Sequence, residues 1–103
     1  MSQLFGLGRT VATPGALDLM ARSGVDPASL LGRHAAGEWG TLDAHDVAAN
    51  NQATRIGVRI LSNYRLCGMD GREDCGRDMC SHRVWVITEG DRSVTTFLLP
   101  EDY

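Results

Sequence analysis

The stretch from Arg83 to Tyr103 constrains the fold more than any other part of the chain. Two runs rich in β-branched and aromatic residues, Val84–Thr88 and Ser93–Leu99, flank the short link Glu89-Gly90-Asp91-Arg92. That pattern predicts a β-hairpin. Pro100 stops its second strand, because proline offers no amide to a ladder.

The upstream half carries helix punctuation. Leu4–Thr13 is either a short strand or an extended arm. Thr13-Pro14 then starts a helix, with Thr13 as N-cap and Pro14 in the first helical position. It should run to Arg22, bury Leu17 and Met20, and stop at Gly24. Asp26-Pro27 repeats the signal for a second helix ending near His34 or Ala36, with Leu30 and Leu31 buried and Gly37 beyond its end. Trp39, large and apolar in a short connector, should plug the core. Asp43 and Asp46 resemble a capping pair for a third helix, Ala44–Ile56. Its thin apolar stripe would be Val47, Ala48, Ala49, Ala53 and Ile56.

Val58–Leu66 alternates, with Ile60, Ser62 and Tyr64 on one face and Arg59, Leu61 and Asn63 on the other, so it reads as a strand. A Gly- and Asp-rich excursion separates it from the hairpin. The expected class is α+β: N-terminal helices on one face of a three- to four-stranded antiparallel sheet built mainly by the C-terminal half. No repeat or linker divides residues 1–103, so one domain is expected, with 67–82 as a hairpin excursion.

Composition narrows the function classes. A hydrophobic fraction of 43% supports one core without staples. No apolar run has the length of a membrane span. The first residues lack the basic start and apolar stretch of a signal peptide, so a cytoplasmic location and no membrane partner are expected. The net charge of −3 gives no footprint for non-specific nucleic-acid binding beyond a local basic patch. Every basic residue other than histidine is arginine, which suits planar pairing with carboxylates or phosphates. A GC-rich genome is the plainer cause.

Two constellations could carry chemistry. Cys67, Cys75, Cys80 and His82 offer three thiols and an imidazole, a donor set for tetrahedral structural zinc. The set lacks the paired Cys-x2-Cys knuckle of zinc ribbons, and reduced unpaired thiols or one disulfide are the plain alternatives. At the hairpin, Glu89 could act as a base and Arg92 could stabilise negative charge, joined by Arg59, Arg65, Tyr64 and His82. The competing reading is a solvated turn whose charges blunt an exposed hairpin. His34 and His45 fall on helix ends or faces, where histidine is usually exposed. Gly6-Leu7-Gly8 lacks the third glycine of a dinucleotide loop, and no serine sits in a nucleophile elbow.

The patterns L-G-x-x-V-A-T-P-G-A-L from Leu7, L-x-R-H-x-x-G-x-W-G-x-L-D from Leu31, R-I-L-S-x-Y from Arg59 and W-V-I-T-E-x-D-R-S-V-T-T-x-L-L-P-E-D-Y from Trp85 resemble a family of small bacterial proteins labelled plasmid-related or hypothetical. The resemblance covers nearly all of the chain outside Cys67–His82, where the family has a short turn. It implies cargo of plasmids, phages and integrated elements, and hence an accessory role.

Three functions follow as expectations. The first is a non-enzymatic binding module acting on a protein partner. The second is a small ribonuclease, by analogy with the layout of barnase-like and RelE-like enzymes, using the Glu89/Arg92 region. The third is an interaction domain whose zinc-bound 67–82 finger is the contact. An unpaired sheet edge would also allow pairing with a second copy of the chain.

Overall fold

A computed structural model describes residues 5–40, 44–66 and 83–103. The zinc-ligand set Cys67, Cys75, Cys80 and His82, and the capping residue Asp43, lie outside the described residues.

The chain runs β1 (Arg9–Ala12), α1 (Pro14–Ser23), α2 (Pro27–Ala35), α3 (Ala44–Ile56), β2 (Ile60–Arg65), β3 (Arg83–Thr88) and β4 (Val94–Leu98), and closes with a 3₁₀ turn at Pro100–Asp102. The helix starts follow the sequence signals. Thr13 Oγ1 accepts from the Ala16 amide at 3.2 Å, and Asp26 Oδ1 accepts from the Ala28 amide at 3.0 Å. Gly24, at φ 70°, ends α1 in the left-handed region that glycine enters without strain. Thr13 Oγ1 also donates to Asp102 Oδ2 at 2.7 Å, which ties the 3₁₀ turn to the start of α1.

The sheet order is β1-β4-β3-β2. The β2–β3 and β3–β4 pairs are antiparallel, the second as its short link requires. The expected fourth strand is present, but β1 lies parallel to β4, Arg9 opposite Val94 and Ala12 opposite Phe97. The sheet is therefore mixed rather than purely antiparallel. All three helices and two strands intervene between β1 and β4, so the link between them is a long crossover and not a hairpin.

The helices sit on one sheet face. The main core joins Ala16, Leu19 and Met20 of α1 and Leu30 of α2 to Tyr64, Val84, Val86 and Phe97. Each of the larger aliphatic side chains and Phe97, fully buried, contributes roughly 1.5–3 kcal/mol. A second cluster joins Phe5, Trp39 and Ala53 to Ile60, so Trp39 fills the core as expected. Two helix-face expectations are corrected. Leu17 is 52% exposed, because Ala16, Leu19 and Met20 form the inward i, i+3, i+4 stripe of α1. Ile56 is 60% exposed, and Ala48 and Ala49 of the expected stripe are exposed too, because α3 turns Asn50 and Ala53 inward.

Asn50 has a structural task. Its amide nitrogen donates to the Leu61 carbonyl at 2.5 Å, and its Oδ1 accepts from the Leu61 amide at 3.3 Å. The Asn63 amide donates to the Trp39 carbonyl at 3.0 Å, beside the bridge from Gly40 to Asn63. Gly40 has φ 78°, and a Cβ there would collide with the Asn63 carbonyl and the Tyr64 ring. The outer edge of β2 is thus occupied by the chain's own groups, which protects it from strand addition.

Candidate functional site

The residues singled out around the hairpin separate. Arg59 meets Glu89 on the sheet face away from the helices, with two nitrogens 3.3 Å from Oε1, and also donates to the Tyr103 hydroxyl at 2.9 Å. This pair is well exposed, so solvent weakens it. Arg92 turns to the helical side instead. Its guanidinium donates to the carbonyls of Ala53 and Val58, both at 2.7 Å, and of Glu89 at 3.2 Å, and lies 5.4 Å from the Phe5 ring centre. Arg92 is also the non-glycine residue at positive φ, 62°, among the described residues. Those bonds hold it there, and they tie the hairpin turn to the end of α3. Tyr64 lies in the core, far from this turn in role and contacts. Its hydroxyl donates to the Glu38 carbonyl at 2.6 Å, Arg33 covers its ring at 4.8 Å, and burial pushes its pKa up to about 12.

His34, expected at an exposed helix end, is completely buried. It lies one helical turn after Leu30 on α2, and that i, i+4 spacing turns both toward the sheet. The imidazole joins side chains of three strands. Ser62 Oγ lies 2.5 Å from Nδ1, Thr88 Oγ1 lies 2.9 Å from Nε2, Thr95 Oγ1 lies 2.8 Å from Thr88 Oγ1, and Thr95 donates to the Leu7 carbonyl at 2.7 Å.

The last bond sets the direction of all the others. A carbonyl only accepts, so the Thr95 hydroxyl proton goes to Leu7. Thr95 then accepts from Thr88, and Thr88 accepts from Nε2–H. Nδ1 is left as an acceptor for the Ser62 hydroxyl. This is neutral imidazole in one tautomer, with every member partnered. Burial, and secondarily the Arg92 charge, lowers the His34 pKa to about 4. Phe5 and Trp39 close over the ring edge-on, with centroids 5.2 and 5.8 Å away. A serine–histidine pair so enclosed has no approach for a substrate. Its chemistry is that of a satisfied polar core.

The opposite sheet face is different. Strand alternation and register place Leu61, Ile87, Thr96 and Val11 in one row and Asn63, Trp85 and Leu98 in the next. None of these belongs to either core cluster, although Ile87 and Leu98 are buried. Arginines lie around them: Arg9 on β1, Arg59 beside Glu89, and Arg65 opposite Arg83. Tyr103 reaches over from the C-terminal turn, its ring 5.5 Å from that of Trp85. The alternation of β2 is legible in the sequence, but the gathering of arginines on this face of an acidic chain is not evident from any one strand. Counting charge by strand parity would have found it.

Searches of family models, curated proteins and solved structures find no match to this chain. Among the described residues no helix is long and apolar enough to cross a membrane, and no histidine, cysteine and carboxylate groups cluster as metal donors.

Proposed function

We propose that this protein is a small non-enzymatic binding module that contacts a protein partner through its outer sheet face. The observation that carries this reading is the arrangement of that face: an apolar strip of half-buried Leu61 and Trp85 and exposed Val11, with Leu98 buried among them, set among Arg9, Arg59, Arg65 and Arg83, in a chain whose net charge is −3. Aromatic and arginine side chains around an apolar centre are the usual composition of protein contact surfaces. The partner would bring an apolar ridge flanked by carboxylates. An accessory role of this kind also agrees with the mobile-element context that the sequence resemblance implies. Affinity capture from a bacterial lysate tests the reading. A specific partner should be retained by the wild type, be weakened by added salt, and be lost from a Trp85→Ala/Arg9→Glu variant that melts like the wild type. Equal capture by both proteins would count against the face.

Arg59, Glu89 and Tyr103 meet within hydrogen-bonding distance on an exposed surface, and this favours a second reading. In it Glu89 is the base and Arg59 the phosphate contact of a ribonuclease. Such an enzyme would cleave RNA in a manner abolished by Glu89→Gln. Unchanged cleavage in that variant would remove it. Structural zinc at Cys67, Cys75, Cys80 and His82 remains a separate proposal. Metal analysis of reduced protein should give close to one zinc per chain, and a metal-free preparation with an unaltered melt would exclude it.

A further inference from the structure

We infer that the polar chain from Ser62 through His34, Thr88 and Thr95 to the Leu7 carbonyl is an acid-sensitive latch, which holds residues 5–12 against the sheet and releases them when His34 takes up a proton. The inference is independent of the binding reading above.

The N-terminal segment is fastened at this chain. Phe5 packs edge-on against the His34 ring and stacks on Trp39 at 6.2 Å, Arg92 lies over Phe5, and Leu7 accepts the terminal bond. Beyond Leu7, β1 contributes four residues and pairs only with β4 among the described residues. It can therefore lift away without breaking the β2–β3–β4 ladder. Opening of this kind, local and below the cost of global unfolding, is typical of short edge elements. Gly8 marks the pivot. Its φ is 65°, and a Cβ there would collide with the carbonyls of Arg92 and Ser93.

Protonation strains the closed arrangement in two ways. A proton on Nδ1 faces the Ser62 hydroxyl, which must turn from donor to acceptor. The new charge also lies in the field of Arg92, with no carboxylate among the described residues in reach to offset it. The groups in contact with the His34 ring are uncharged: Ser62 from β2, Thr88 from β3, Phe5 from the N-terminal segment and Trp39 from the connector, with Thr95 of β4 and the Leu7 carbonyl next along the chain. On its own helix, Arg33 lies against Tyr64. Of the turn acids, Glu89 pairs with Arg59 on the other face, and Asp91 is bound by Ser93. Water reaches the imidazolium most directly if Phe5 and Leu7 move. Release would leave β4 with an open edge, able to accept an extended strand.

Amide hydrogen exchange, read by NMR and corrected for intrinsic rates, tests the latch. His34 has its folded pKa below the ordinary value, so the closed form is favoured at neutral pH and loses ground as pH falls from about 6.5 toward 4. Between roughly pH 7 and pH 4.5 the opening constant for the β1 amides should rise about tenfold or more. It should exceed that of Val84 and Val86 at both pH values. A His34→Gln variant should flatten this response. Should that variant fail to fold, Thr95→Val, which cuts the bond to Leu7, should raise β1 opening at neutral pH. The latch is refuted by β1 opening that does not change with pH, or by β1 and core amides sharing one opening constant throughout.

Discussion

Neutral His34 lets every group from Ser62 to the Leu7 carbonyl keep a partner. Folding therefore holds a proton off a group that would otherwise bind one near pH 6.5. The stabilisation is fully present above that value and is lost as pH falls toward 4. A displacement of this size corresponds to about 3 kcal/mol. Urea denaturation at neutral pH and near pH 4.5 should show that loss in the wild type and much less of it in His34→Gln. Ser62→Ala leaves Nδ1 a buried acceptor without a donor, and should cost about 1–3 kcal/mol at neutral pH. Arg92 and Glu89, alike in the sequence as turn charges, should part under mutation. Arg92→Ala removes donors to three carbonyls and should cost about 1–3 kcal/mol. Glu89→Gln breaks an exposed ion pair and should stay within about 0.5 kcal/mol. Thermal melts of the two variants distinguish these outcomes.

At the scale of elements, α3 is polar for a helix that packs, and Asn50 explains how it does so. Its amide replaces a missing neighbour strand by bonding both backbone groups of Leu61. Asn50→Ala should lower the unfolding free energy by about 1–3 kcal/mol, and should make Leu61 exchange faster than its β3 partner Ile87. The helices were legible in the sequence where their signals are local. Thr13-Pro14 and Asp26-Pro27 set starts that the caps reproduce, and α3 spans the residues its pattern predicts. The alternation of β2 also held, with Ile60, Ser62 and Tyr64 turned to the core. The parallel pairing of β1 was not legible, because its partner lies at the other end of the chain and no local feature encodes it. The burial of His34 was hidden for the same reason: its partners come from β2 and β3. Arg92 was misjudged because a charged turn residue gives no sign, in sequence, that helix-end carbonyls await it.

At the scale of the molecule, polar chemistry divides between two sheet faces. On the helical side the hydroxyls, the imidazole and Arg92 are used in holding strands, helices and the N-terminal segment together. On the outer side an apolar strip and arginines face away from every helix among the described residues. The proposed binding role rests on that division. Photo-crosslinking tests it most directly, with a benzophenone side chain placed at Thr96 on the outer face, or at Leu17 on the exposed side of α1, in cells that carry the protein. The account predicts a discrete crosslinked partner from Thr96 and none from Leu17. Partners captured from Leu17, with Thr96 silent, would contradict it.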